Sequence, residues 1–116
     1  MVDESYYVPM QGDIVMASTG PGKGHEPTGY RPCVCLSNEL VSRYSNTAIF
    51  APISTTERSY PLYVPLDAGL KTNGVVMLDQ LVTLDYSDRK AKYVETVGEL
   101  FLDRLLKTVK MVFQKD

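Results

Sequence analysis

For the first 97 residues the apolar side chains of this chain come in short, β-rich runs. Each run is closed by glycine, proline or a polar cluster, and after them the spacing switches to that of a helix. The runs are Ile14–Ala17, Pro32–Ser37, Thr47–Ile53, Leu62–Leu66, Gly74–Thr83 and Ala91–Val97, so six strands are expected, with Pro52 hinting at an edge or a bulge. Strands this short, irregularly spaced and separated by turns argue for a small antiparallel barrel rather than a βαβ fold. Beyond them Leu102, Leu105, Leu106, Val109, Val112 and Phe113 fall on one stripe. Thr96 and Glu99 match a capping box at its start. The expectation is a mainly β domain closed by one C-terminal amphipathic helix.

At 116 residues, 44% apolar and 22% charged, the chain fits one domain spanning residues 1–116 with one core. No apolar run approaches the ~18 residues that span a membrane. The start MVDESYY is acidic and lacks the apolar segment of a secretory signal, so a cytoplasmic location is expected. Cys33 and Cys35 flank one residue, too close for a disulfide, and read as small buried hydrophobes. With a single histidine there is no ligand set at zinc spacing, and no cofactor is expected. The net charge of −2 does not advertise nucleic-acid binding. Between Gly20 and Arg58, however, Lys23, Arg31, Arg43 and Arg58 outnumber Glu26, Glu39 and Glu57, which permits a phosphate-binding face.

Two motifs fail on context. GPGKG lacks the G-x-x-x-x-G-K-[ST] spacing and the strand–helix unit of a nucleotide-binding loop. Serine, histidine and aspartate scattered along the chain carry no triad geometry. The loop STGPGKG, with three glycines in seven residues, is expected to be open or disordered without ligand.

Four blocks carry a resemblance over nearly the whole chain: YVPMQGDIV, GKGHEPTGYRPCVCLSN, APISTTERSYP and GVVMLDQLVTLD, in that order. Together they resemble the MazF/PemK family of toxins from type II toxin–antitoxin systems. The resemblance implies an SH3-like, CcdB/PemK-like barrel that forms a homodimer. It further implies metal-independent cleavage of single-stranded mRNA at short specific sequences. Attack of a ribose 2′-OH on the adjacent phosphate would leave a 2′,3′-cyclic phosphate and a 5′-OH. The implied partners are the RNA substrate and a MazE-like antitoxin whose acidic C-terminal tail lies across the toxin.

That chemistry needs a carrier for the 2′ proton, a donor for the leaving oxygen and positive charge over the phosphorane. The resemblance assigns the charge to Arg31 of G-x-R-P, whose guanidinium can fork onto two phosphate oxygens. Ser54 stands where many relatives carry threonine and supplies a hydroxyl, with Thr55 next in register. His25, with a reference pKa of about 6.5, and Glu26 match the G-[SH]-E pattern; either can serve as base, and Glu26 can instead orient Arg31. Lys23 and Gly24 in the first loop, and Thr55, Thr56 and Arg58 in the second, are expected to contact RNA. Asp79 and Gln80 complete that set. The Kid branch of the family places an arginine two residues before this aspartate, but Met77 stands there, which leaves Asp79 structural or RNA-contacting. An amide such as Gln80 suits a base edge.

Two other functions share parts of this pattern. CcdB-like gyrase poisons use the same architecture but act through a C-terminal tryptophan, and this chain has none. A peptide-binding module would need an aromatic groove, and the spacing of Tyr6, Tyr7, Tyr30, Tyr44, Tyr60, Tyr63, Tyr86 and Tyr93 does not predict one.

Overall fold

The computed structural model describes residues 7–19 and 29–116. Their order is β1 (Asp13–Ser18), β2 (Tyr30–Cys35), α1 (Glu39–Ser42), β3 (Thr47–Ser54), β4 (Tyr63–Pro65), β5 (Val75–Met77), β6 (Val82–Asp85), β7 (Lys92–Thr96) and α2 (Glu99–Val112). Five of the expected strands lie within two residues of their predicted spans, and all pairings are antiparallel. The strand order is β4-β5-β3-β2-β1-β7, with β6 paired to β3. No pairing joins β4 to β7 among the described residues, so the expected barrel is not closed.

The long run from Gly74 to Thr83 is two strands rather than one. Leu78 to Gln80 turn between β5 and β6, with the Gln80 amide donating to the Met77 carbonyl at 3.2 Å. The cause lies in β3, which exchanges one partner for another along a single edge. Its first half pairs with β6 (Ala48↔Leu84, Phe50↔Val82) and its last residues pair with β5 (Ile53↔Val76, Ser54↔Val75). Pro52, which has no N–H to donate, falls in the interval between the two partners. It therefore sits in a central strand and marks neither an edge nor a bulge; the irregularity lies in the β1–β7 pairing, where Ile14 and Val15 pair with Glu95 and Tyr93 and Val94 of β7 is the extra residue.

Alternation along the strands builds two cores on opposite faces of the sheet. Ile14, Val34, Ala51, Ile53 and Val76 line one, covered by Phe101 and Leu105 of α2. Val15, Ala17, Cys33, Cys35, Phe50 and Leu84 line the other. Both cysteines are buried and unbridged, and burial pushes the thiols up, Cys33 to about 12 and Cys35 to about 11. They behave as small hydrophobes, as expected.

The helix begins without the expected capping box. Its N-cap is Gly98, which makes no side-chain cap bond. Thr96 belongs to β7 opposite Asp13 and its hydroxyl donates to the Asp13 Oδ1 at 2.9 Å. Asp13 is buried and also accepts from the Tyr7 hydroxyl (2.6 Å) and the Met10 amide (2.9 Å). Burial, reinforced by that hydrogen bond to Asp13, raises the Tyr7 phenol above its ordinary value. A buried carboxylate needs such partners more than a helix end needs a cap, because leaving it unsatisfied is the costlier outcome. No helix among the described residues is long and apolar enough to cross a membrane.

Candidate functional site

Antiparallel pairing of β2 with β3 brings the start of one strand beside the end of the other. The register runs Cys35↔Phe50, Val34↔Ala51 and Cys33↔Pro52. Two residues beyond the last of these pairs, Arg31 on β2 and Ser54 on β3 both belong to the face that carries Cys33 and Cys35. Both residues are half-buried, at the rim where that core ends. On its other side Arg31 pairs with Ala17, a small neighbour. Its guanidinium makes no ion pair or side-chain hydrogen bond among the described residues. Arg43, by contrast, is engaged by Glu39 at 3.0 Å on the first turn of α1. Of the basic residues singled out in this part of the chain, Arg31 and Arg58 thus form no ion pair among the described residues; Lys23 lies outside them.

Ser54 is tightly placed. Its Oγ accepts the Thr56 amide at 3.1 Å, and the Thr56 Oγ1 in turn accepts the Arg58 amide at 3.2 Å. These successive hydroxyl-closed turns order the exit from β3. They use an acceptor position of Ser54 and leave its O–H free to donate. Behind Ser54 stands Gly74, at φ +127°. A Cβ there would overlap the Ser54 carbonyl, so only glycine fits the approach of these two backbones. Gly74 had no place in the sequence-derived site, although an Asn-Gly pair ahead of a strand is the signal that could have marked it.

The loop between β3 and β4 carries Thr55, Thr56 and Arg58, all exposed. The Arg58 guanidinium lies 5.2 Å from the Tyr60 ring centroid and 5.6 Å from that of Tyr63. The two rings meet edge to face at 5.0 Å, and the Tyr63 amide donates to the Tyr60 carbonyl at 2.9 Å. The Gln80 Nε2 donates to the Tyr63 hydroxyl at 3.4 Å, a long bond that draws the β5–β6 turn into the group. Two of the tyrosines meet here because the turn into β4 folds Tyr60 back over Tyr63. Asp79 is exposed and forms no hydrogen bond to the other candidates among the described residues, and Met77 is buried opposite Tyr63.

The structure therefore places Arg31 and Ser54 on one face of adjacent strands, and links Ser54 through Thr56 to Arg58 and on through Tyr63 to Gln80. Lys23, Gly24, His25 and Glu26, together with the loop expected to be open, lie outside the described residues apart from Ser18 and Thr19. Among the described residues no three histidine, cysteine, aspartate or glutamate side chains gather at metal-binding distance. What the visible arrangement offers is a half-buried cation beside a free hydroxyl donor, flanked by a second cation stacked on aromatic rings. Such groups suit a phosphodiester with bases attached.

Residues 10–113 match the model of the PemK-like, MazF-like toxins of type II toxin-antitoxin systems. The endoribonuclease toxin MazF of Escherichia coli K12 is 33% identical over 94 residues, covering 81% of this chain and 84% of that one. A crystal structure of MazF from Deinococcus radiodurans superposes with a TM-score of 0.80 at 28% identity, over 91% of this chain and 96% of its own. The same organism's MazE–MazF complex gives 0.77 at 25% identity, over 91% of this chain and 95% of that one. Four blocks of sequence, an open antiparallel sheet with its C-terminal helix, and matches of this extent agree, and the chain belongs to the PemK-like, MazF-like toxins of type II toxin-antitoxin systems.

Proposed function

We propose that this protein is an endoribonuclease toxin that cuts single-stranded mRNA by internal transesterification, without a metal, at a short specific sequence. The observation that carries the reading is the placement of Arg31 and Ser54 on neighbouring strands at one rim of the sheet. In this scheme Arg31 forks onto the two non-bridging oxygens of the scissile phosphate and stabilises the charge that grows there. The 2′ oxygen attacks phosphorus as its proton passes to His25 or Glu26. The bond from phosphorus to the 5′ oxygen then breaks and that oxygen is protonated, with the Ser54 hydroxyl donating to it or to the phosphate. The products are a 2′,3′-cyclic phosphate and a 5′-OH.

Lys23, Gly24, Thr55, Thr56, Arg58, Asp79 and Gln80 form the RNA-contacting set in this proposal, and the loops that hold them set the recognition sequence. The whole chain acts as one such domain, working in the cytoplasm as a homodimer. The MazE–MazF complex of the Deinococcus relative supports a MazE-like antitoxin as partner, its acidic tail competing with RNA for the same cations. A gyrase-poison mechanism is not favoured, because the relatives are endoribonucleases and the chain has no tryptophan.

Purified protein incubated with a long transcript in excess EDTA should give discrete fragments, and sedimentation should show about twice the 12.9 kDa chain mass. Intact RNA together with gyrase-dependent DNA breaks would reverse the assignment.

A further inference from the structure

We propose that Arg58, backed by Tyr60 and Tyr63, is the floor of a subsite for one unpaired nucleobase beside the scissile phosphate, with the Gln80 amide reading its edge. The inference rests on the endoribonuclease reading and goes beyond it in assigning a base, rather than a phosphate, to this cation. Arg58 is exposed, and its guanidinium makes no ion pair or side-chain hydrogen bond among the described residues. Its guanidinium carbon lies 5.2 and 5.6 Å from the ring centroids of Tyr60 and Tyr63, so aromatic carbon stands against the cation. A cation meant only to neutralise phosphate gains little from such backing. A stacking surface needs it, because a base loses less on binding when the plane beneath is already fixed.

The neighbours fit the same ligand. The Thr56 hydroxyl holds the Arg58 amide at 3.2 Å and ties the loop back to Ser54, which places the subsite next to the phosphate group. Gln80 gives one N–H to the Tyr63 hydroxyl and keeps its carbonyl and second N–H for a base edge. Tyr60 and Tyr63 act through Arg58 and are positioning residues.

The test uses a short RNA carrying the mapped cut site, with each nucleotide flanking the cut replaced in turn by an abasic ribose. At one flanking position the wild type should lose about 10-fold to 100-fold in kcat/KM, through KM. Arg58→Lys keeps the charge and loses the plane. It should show a similar loss on intact RNA and none on the abasic RNA. Tyr60→Ala should resemble it, and the double variant should be no worse than either alone. An equal loss by Arg58→Lys on both RNAs identifies a phosphate contact and overturns the proposal, as does an unchanged KM. If the wild type cuts no RNA, the endoribonuclease reading fails separately. Anisotropy with a labelled single-stranded RNA pool and an abasic oligomer then decides the subsite. Weaker binding by Arg58→Lys to the pool alone supports it, and equal binding by the variant and wild type overturns it.

Discussion

Replacing Arg31 with alanine is expected to lower RNA cleavage by about 10²–10³-fold while the protein still folds, since a fixed donor at a developing oxyanion contributes that much. The loss should fall on kcat more than on KM, because the second charge appears on the phosphate only as the 2′ oxygen adds. Arg31→Lys should recover only part of the rate; a single ammonium cannot fork onto two oxygens. The fold should tolerate both changes. Arg31 is half-buried at the rim and its guanidinium holds no partner among the described residues, so its removal leaves none of their buried groups unsatisfied. Circular dichroism and single-turnover kinetics on the same preparation separate the two effects. Activity within a few-fold of wild type would remove Arg31 from the mechanism.

The second large effect is expected at Ser54. Ser54→Ala removes the hydroxyl that closes the Thr56 turn at 3.1 Å and, in the proposed mechanism, the donor to the phosphate or the leaving oxygen. A fall of roughly 10²-fold in kcat follows from losing one such donor. Ser54→Thr keeps the hydroxyl and should retain or raise activity. The added methyl faces a strand end that is half-buried rather than closed. If Ser54→Ala cuts normally and Thr55→Ala does not, the hydroxyl in the mechanism is that of Thr55.

Much of this molecule was legible before any coordinates, and the failures share one cause. Strand existence followed from local runs of β-formers, and five strands were located to within two residues. The composition of the run from Gly74 to Thr83 is continuous and predicts one strand. What divides it is the exchange of partners along β3, which no window of sequence contains. Thr96 looked like a helix cap because Glu99 follows at the right spacing. Its hydroxyl instead serves Asp13, 83 residues away. Both misreadings are local signals overruled by long-range pairing.

The candidate site divides in the same way. Arg31 and Ser54 could be named from their motifs, but that they share one face of adjacent strands is a consequence of the β2–β3 register. The spacing of Arg58, Tyr60 and Tyr63 was visible without meaning. Their meeting depends on the turn that returns the chain into β4 and on the link from Gln80 to Tyr63. Gly74 went unnoticed for a related reason. The need for glycine there arises from the carbonyl of Ser54, 20 residues earlier in the chain.

In the proposed reaction the 2′ oxygen of the substrate is the nucleophile, with Arg31 and Ser54 around the phosphate it attacks. A short RNA with a single 2′-deoxy substitution at the nucleotide on the 5′ side of the cut tests it most directly. The account predicts that this RNA binds with nearly unchanged Kd and is not cut, while the all-ribose control is cut to a 2′,3′-cyclic phosphate and a 5′-OH. Cleavage of the substituted RNA at the same position would contradict it, because water rather than the ribose would then be attacking.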